Sequence, residues 1–257
     1  GSEDIRITTR YDIDDFSSSL MGIMHETGHA MYEMGLPKAW RYQPVGAPLG
    51  MAIHESQSLL IEMQVCRSRS FLNYAGPLMQ EFFGVNNNEL GIENLYRLYT
   101  HVEPGFIRVD ADEVTYPAHI ILRYKLERAL ISGDLSLPDL PTAWNDGMQK
   151  LLDIEPPNNR LGCLQDIHWP SGDFGYFPTY TLGAMIAAQL YYAAKLDISS
   201  IESEIEEGKF STLMTWLNKN IHSHGSRFSA DQLLNTVTGS SLDPAIFQSH
   251  LKNRYLN

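Results

Sequence analysis

Apolar side chains return every three or four residues along most of the chain, which is the spacing of an amphipathic α-helix. The clearest stretch runs from Phe16 to Met34, with apolar positions at Leu20, Met24 and Met31. Ser17–Ser19 lie at its start as cap residues, and Gly35 follows it as a stop signal. The pattern therefore predicts one helix over this stretch.

A second helical pattern extends from Met51 to Phe71, after a connection rich in proline and glycine. Further stretches with the same periodicity are 89–100, 116–131, 141–152, 180–195, 198–218 and 229–237. The best strand candidate is Gly105–Val114, and Glu155–Pro178 is an irregular segment long enough to be a functional loop. The chain is therefore predicted to be mainly α-helical, with at most a small β-sheet.

The 257 residues carry a formal net charge of -12, which disfavours a nucleic-acid partner because phosphate binding needs clustered Lys and Arg. No apolar run approaches the ~20 residues that span a bilayer, so we expect no membrane partner. Cys66 and Cys163 are far apart and belong to no C-x-x-C motif, which favours a reducing, cytoplasmic setting. The opening Gly1-Ser2 is typical of a cloning scar.

Residues 25–29 read His-Glu-Thr-Gly-His, the H-E-x-x-H pattern, and they fall inside the first predicted helix. Residues four apart share a helix face, so His25 and His29 can reach one ion. Zinc binds neutral imidazole nitrogen and keeps a position open for water in catalytic sites. Glu26 lies beside that position as a general base for the water. The pattern predicts a catalytic zinc site.

The third ligand comes from the second predicted helix, where His54, Glu55 and Glu62 are the candidates. We favour Glu55, because a separation of 55 − 29 = 26 residues lets the loop bring its helix back over the first. Gly28 offers little obstruction to that approach. His54 points about 100° away on the helix and Glu62 lies further along, so both are better suited to supporting or capping roles.

The paired motifs at residues 25–29 and 54–57 resemble the zinc motifs of the thermostable carboxypeptidase Taq family, at the family's own separation. Further motifs match in the family's order. Residues 4–9 are similar to its D-x-R-x-T signature, 107–112 to its I-R-x-x-A-D signature and 162–169 to its G-x-x-Q-D-x-H-W signature. The resemblance therefore covers nearly the whole chain.

The resemblance implies a helical, zincin-like fold, a homodimer, and removal of single residues from peptide C-termini. The expected partners are peptides with a free C-terminus. Family members are substantially longer and carry a helical N-terminal half and an upstream H-P-F motif, which this sequence lacks. We therefore predict that residues 3–257 form a single catalytic domain, the C-terminal portion of a longer chain.

A carboxypeptidase needs a cation for the terminal carboxylate of its substrate, and Arg108 is the candidate. Its guanidinium forms a fork that matches a carboxylate, and the family resemblance places this arginine at the substrate end of the cleft. The alternative is a surface ion pair of Arg108 with Asp110 or Asp112. The irregular segment adds further groove candidates: Gln165, Asp166 and His168.

An oxyanion also needs a hydrogen-bond donor, and the aromatic stretch after residue 175 supplies two tyrosines. Tyr176 and Tyr180 are not separable by sequence, and core packing is the simpler explanation for one of them. We expect Tyr180 and His168 to take part in catalysis and Tyr176 to contact substrate. The remaining histidines near the C-terminus are expected at the surface or at helix ends: His222, His224 and His250.

The sequence thus indicates a zinc-dependent carboxypeptidase with Glu26 as general base, in which Co²⁺ is a possible substitute for Zn²⁺. Two alternatives stay open. An oligo-endopeptidase with the same zinc motif would cut internal bonds. A non-catalytic metal-binding fragment would fold and bind metal without turning over peptides.

Overall fold

The computed structural model describes residues 4–85 and 88–256, and the predicted cloning scar at Gly1-Ser2 lies outside them. The described chain is mainly helical, as predicted. Its α-helices are α1 Phe16–Gly35, α2 Gly50–Leu59, α3 Arg69–Phe83, α4 Ile92–Tyr99, α5 Tyr116–Ser132, α6 Leu140–Leu152, α7 His168–Ser171, α8 Pro178–Asp197, α9 Ile201–Glu206, α10 Ser211–Asn220, α11 Ala230–Thr238 and α12 Pro244–Tyr255. A π-helical segment, Leu60–Cys66, follows α2 directly.

The second predicted helix, Met51–Phe71, is divided in the structure. The chain leaves α-geometry at Leu60, passes through the π-helical segment and is extended at Ser68. The Ser68 hydroxyl then accepts a hydrogen bond from the Phe71 amide and starts α3 as its N-cap. The predicted helix over 198–218 is likewise two helices, separated near Gly208, whose φ of 73° lies in the left-handed region.

The predicted strand at Gly105–Val114 is wrong, and residues 4–85 and 88–256 contain no β-strand. This stretch holds a short 3-10 turn, Arg108–Asp110, with the Arg108 side chain buried. Asp112 then accepts hydrogen bonds from the backbone amides of Val114 and Thr115. These local contacts satisfy the backbone where a strand would need a neighbouring strand.

The chain divides into two compact units, which we describe separately. Unit 1 comprises residues 1–100 and 182–257, and unit 2 comprises residues 101–181. In unit 1, α1 packs against α2 and the π-helical segment, and α3 packs against α4 and α9. Its core includes the fully buried side chains of Tyr32, Leu60, Leu72 and Leu190. The assignment of a single catalytic domain stays a prediction.

Unit 2 is built on the packing of α5 against α6. Trp144 and Met148 of α6 are buried in its apolar core together with Leu122 of α5. The Gly162–Trp169 motif belongs to the irregular segment predicted between Glu155 and Pro178, which contains turns and the short α7. No helix in the described ranges is both long and apolar enough to cross a membrane.

Candidate metal centre

Helix α1 positions the two histidines of the H-E-x-x-H motif. The helix begins after Asp15, whose carboxylate accepts a hydrogen bond from the Ser18 amide, so the cap lies just before the predicted serines. His25 and His29 follow on one helix face, with ring centroids 4.9 Å apart. Glu26 lies next to His25 on the same helix and is partly buried.

Glu55 of α2 completes the predicted set of ligands. Its Oε1 lies 3.8 Å from Nε2 of His25, and its Oε2 lies 3.5 Å from Nε2 of His29. One ligand atom from each of the three residues lies within 4.8 Å of the others. Ligand atoms about 2.1 Å from a tetrahedral zinc ion are roughly 3.4 Å apart, so this spacing fits such an ion. The structure therefore brings together the three residues proposed from sequence.

Two glycines allow the close packing around these ligands. A Cβ on Gly28 would lie 2.5 Å from the carbonyl oxygen of Gln57, so α1 and α2 contact each other backbone to backbone, as the sequence led us to expect. A Cβ on Gly183 of α8 would lie 2.8 Å from both Cβ and Cγ of Glu55. Gly183 was not recognised from sequence, because its importance depends on a contact between distant helices.

His25 is hydrogen bonded to Glu62 of the π-helical segment. Its Nδ1 lies 3.0 Å from Oε2 of Glu62, and Arg67 donates from Nη2 to the other carboxylate oxygen at 2.6 Å. Burial opposes the charge on His25, but the hydrogen bond and the charge of Glu62 outweigh it, so the pKa of His25 lies above its ordinary value. Burial also opposes the charge on Glu62, but His25 and Arg67 hold its pKa below the usual range.

His29 contacts His54, the other candidate that we assigned to a supporting role. The Nδ1 atoms of the two rings are 2.7 Å apart, and Nε2 of His54 lies 3.0 Å from Oε1 of Glu33. Because His54 uses both ring nitrogens in these contacts, it lies beside the proposed ligands and not among them. The structure thus places Glu55 near the Nε2 atoms of both α1 histidines, and Glu62 and His54 at their Nδ1 atoms.

The predicted substrate residues of unit 2 form a second polar cluster. Arg108 donates from Nε and Nη2 to the two carboxylate oxygens of Asp166, at 3.2 and 2.8 Å, and from Nη1 to the Tyr116 hydroxyl at 2.6 Å. The ion pair is therefore buried and formed with Asp166, and not with Asp110 or Asp112 at the surface. Burial opposes the charge on Asp166, but the hydrogen bonds and charge of Arg108 keep its pKa below the ordinary value.

Gln165 fixes the backbone on both sides of this ion pair. Its Oε1 accepts a hydrogen bond from the Arg108 amide at 2.7 Å, and its Nε2 donates to the carbonyl of Phe106 at 3.0 Å. Nε2 also donates to the carbonyl of Gly162 at 3.1 Å. In this structure Gln165 therefore orders the loop that carries Asp166.

His168 and the two tyrosines lie together in the same unit. Nε2 of His168 is 3.2 Å from the Tyr180 hydroxyl, and its Nδ1 is 3.8 Å from Oδ1 of Asp166. Tyr176 packs near both rings, with centroids 5.5 Å from each. Tyr180 thus makes a polar contact with His168, and the Tyr176 ring packs against both side chains. Burial is the main reason that the pKa of His168 lies below its ordinary value.

Arg123 of α5 is a member of the cluster that sequence reasoning missed. Its guanidinium carbon lies 3.8 Å from the Trp169 ring centroid and 4.3 Å from that of Phe177, and Nη1 donates to Asp166 at 3.4 Å. Burial and the charge of Arg108 lower its pKa to about 10. The sequence shows only that Arg123 lies within a predicted helix. It does not show whether such an arginine is buried or lies at the surface.

Comparison with known proteins places the whole chain in one family. The profile described as "Carboxypeptidase Taq (M32) metallopeptidase" matches residues 1–255. The chain is 40% identical over 256 residues to "Thermostable carboxypeptidase 1" of Pyrococcus furiosus, covering 100% of this chain and 51% of that protein. It is 39% identical over 254 residues to "Carboxypeptidase 1" of Bacillus subtilis, covering 99% and 51%.

Solved structures agree with this assignment. "Trypanosoma Cruzi Metallocarboxypeptidase 1" superposes with a TM-score of 0.96 at 42% identity, covering 100% of this chain and 54% of that one. An M32 carboxypeptidase from Deinococcus radiodurans R1 superposes with a TM-score of 0.94 at 36% identity, covering 99% and 52%. The chain therefore spans about half the length of the relatives that it matches.

Proposed function

Because the chain belongs to the carboxypeptidase Taq (M32) metallopeptidase family, we propose that it is the metal-binding, catalytic part of a zinc-dependent carboxypeptidase. The observation that carries the proposal is the convergence of His25, His29 and Glu55 within 4.8 Å on helices α1 and α2. The proposed substrates are peptides with a free C-terminus, from which single residues are removed.

Two imidazoles and one carboxylate would hold the ion, a donor set typical of catalytic zinc sites and also acceptable to Co²⁺. When bound, zinc lowers the pKa of a water molecule and polarises a carbonyl group. Glu26 is the proposed general base, because it follows His25 directly on α1. It would accept a proton from the attacking water and pass it to the leaving amine.

The unit 2 cluster supports the proposed substrate roles. Arg108 donates to Asp166 from Nε and Nη2 and to Tyr116 from Nη1, and its guanidinium is the proposed site for a peptide carboxylate. Asp166 and Gln165 would keep the guanidinium in a fixed orientation for that carboxylate. The Tyr180 hydroxyl, in contact with His168, is the proposed donor to the oxyanion, and Tyr176 is the proposed contact to the substrate side chain.

The first experiment compares zinc content and peptide hydrolysis of the wild type and Glu26→Gln. We expect about one zinc per chain in both, and hydrolysis only in the wild type, with a loss of at least ~100-fold in the variant. His29→Ala and Glu55→Ala should lose the metal as well. A wild type that takes up no added zinc would refute the metal site.

A matched pair of peptides tests the direction of attack. Amidation of the C-terminus removes the carboxylate that Arg108 is proposed to bind, so a carboxypeptidase should cleave the free acid only. Cleavage of both peptides at internal bonds would favour the oligo-endopeptidase alternative. Zinc binding without any turnover would favour the non-catalytic fragment, an alternative that the half-length match to the relatives makes worth testing.

The assembly and setting implied by the sequence are also proposals. The family resemblance favours a homodimer for the full-length protein, and the two unpaired cysteines, both buried, are compatible with a reducing, cytoplasmic setting. Sedimentation analysis at several protein concentrations would measure the mass of the particle. A full-length protein that is a monomer at all concentrations would contradict the dimer.

A further inference from the structure

The two histidines of α1 are supported by separate networks, and both networks end in a carboxylate. His25 and His29 turn Nε2 towards Glu55, so Nδ1 is the nitrogen that faces away from the proposed ion. In His25 that atom contacts Glu62, and in His29 it contacts His54. Each proposed ligand thus has its second ring nitrogen engaged by a different residue.

The π-helical geometry places Glu62 and its counter-ion on one face. Glu62 and Arg67 are five residues apart, and in an α-helix this spacing would separate the two side chains by about 140° around the axis. A π-helix forms its backbone hydrogen bonds between residues five apart, which is a wider turn than that of an α-helix. With this wider turn before it, Arg67, directly after the segment, donates to Glu62 at 2.6 Å. The charge of Glu62, whose side chain is 10% exposed, is thereby paired while its other oxygen faces His25.

The network behind His29 contains an additional imidazole. If His29 presents unprotonated Nε2 to an ion, its Nδ1 carries the proton and donates it to Nδ1 of His54. His54 must then carry its own proton on Nε2, which is the atom that lies 3.0 Å from the Glu33 carboxylate. Each hydrogen-bond donor in this network has an acceptor. One choice of tautomers satisfies both the contact of His29 with His54 and the contact of His54 with Glu33.

We propose that Glu62 and His54 are positioning residues of the metal centre, which hold both histidines in the tautomer with an unprotonated Nε2 directed at the ion. This inference rests on the metal site of the proposed function. A hydrogen bond at the second nitrogen of an imidazole ligand fixes both its ring orientation and its tautomer, and loss of such a bond weakens metal binding by about 10- to 100-fold. Arg67 acts through Glu62 by balancing its charge, and Glu33 acts through His54 by orienting its ring.

The first test measures zinc affinity by competition with a chelator for a matched series at position 54. His54→Phe keeps the ring volume and removes the acceptor, so we expect zinc binding about 10- to 100-fold weaker. His54→Asn places an amide oxygen near the position of Nδ1 and should restore most of the affinity. His101→Phe, at a histidine that is 68% exposed, is the control and should bind zinc as the wild type does.

The second test concerns Glu62. Glu62→Gln keeps the shape but loses the charge that His25 and Arg67 share, so we expect about 10-fold weaker zinc binding in protein that is still folded. Thermal unfolding of the metal-free variants checks that they fold. If Glu62→Gln does not fold, the series at His54 and the spectroscopy of the wild type still decide the question.

The third measurement reads the tautomers directly, by ¹⁵N NMR of the imidazoles in the zinc-loaded wild type. We expect protons on Nδ1 of His25 and His29, and on Nε2 of His54. Coordination through Nδ1 in either ligand, or unchanged zinc affinity in folded His54→Phe, would overturn the inference. A wild type that binds no zinc would instead refute the proposed metal site itself.

Discussion

The carbonyl oxygen of Gln57 lies 2.5 Å from the point that a Cβ on Gly28 would occupy, so α1 and α2 meet backbone to backbone between the two halves of the proposed metal site. Gly28 precedes His29, and Gln57 follows Glu55 by two residues. The distance between the helices at this point therefore determines how closely the carboxylate approaches the imidazoles.

We expect Gly28→Ala to lower the free energy of unfolding by about 1–3 kcal/mol, because the added methyl group must push two backbones apart. Zinc affinity should fall with it, because Glu55 moves with α2. Urea denaturation and chelator competition measure the two effects. Gly22→Ala on the same helix is the control: its Cβ would meet the Thr9 hydroxyl at 3.5 Å, an ordinary contact, so stability should rise by up to ~1 kcal/mol. Equal behaviour of the two variants would contradict the close contact.

A methyl group at position 183 should weaken metal binding by displacing one proposed ligand, Glu55. Gly183→Ala would place its Cβ 2.8 Å from Cβ and Cγ of Glu55, so that side chain or α8 must shift. We expect weaker zinc binding, by about 10-fold or more, and a smaller change in thermal stability than at Gly28. Gly76→Ala is the control, because the nearest atom to its Cβ would be the flexible end of the Leu95 side chain, at 3.4 Å. Unchanged affinity in Gly183→Ala would argue against this support of Glu55.

The contributions of Arg108 and Asp166 to the free energy of unfolding should be strongly coupled, because the two side chains form an ion pair. Both side chains are about one-tenth exposed, so removal of one partner leaves a buried charge without its main counter-ion. We expect Arg108→Met to lower the free energy of unfolding by about 3 kcal/mol, and the double variant with Asp166→Asn to cost less than the sum of the single changes. A double-mutant cycle by denaturation measures this coupling. Additive effects would show that Arg123 alone balances Asp166.

His222 should make stability depend on pH below neutrality. It was expected at the surface or at a helix end, and it starts a short 3-10 helix but is only 2% exposed. Its Nε2 lies 3.0 Å from Oε1 of Gln57, and burial lowers its pKa to about 4. In the unfolded chain His222 binds a proton near pH 6.5, whereas in the folded chain it stays neutral until about pH 4. The contribution of His222 to the free energy of unfolding is therefore complete above pH 6.5 and is lost as pH falls towards 4. At pH 5 the loss is about 2 kcal/mol.

The check is denaturation at pH 7.5 and pH 5 of the wild type and His222→Gln. Glutamine can place its amide nitrogen near the position of Nε2 and does not titrate. The variant should therefore lose about 2 kcal/mol less stability than the wild type between the two pH values. The same loss in both proteins would assign the acid sensitivity to other groups.

Sequence reasoning succeeded where one local pattern determines one local structure. The spacing of His25 and His29 within a periodic helix was sufficient to place both on one face, and α1 begins at the predicted residue. Glu55 was proposed as the third ligand from the loop length and Gly28, and the structure brings it within 4.8 Å of both histidines. These features depend on contacts between residues that are close in the sequence.

The structural predictions that failed concern features that depend on contacts between elements or on the geometry of the folded chain. The periodicity that continues through Met51–Phe71 does not distinguish α- from π-geometry, and here the π-helical segment carries the buried Glu62, which is paired with the partly buried Arg67. Phe106–Val109 has strand-forming residues, but Arg108 is instead turned inward to Asp166. Helix α12 was missed because its apolar residues are few and show little helical periodicity.

The proposed ligands and the polar side chains hydrogen bonded to them all lie between residues 25 and 67, in one contiguous stretch of chain. An ion held by His29 and Glu55 would therefore act as a cross-link that closes a short loop of 55 − 29 = 26 residues. Such contacts are local, so they form with little loss of chain entropy and at an early stage of folding. Removal of the ion should accordingly loosen this hairpin of helices before it affects the rest of unit 1.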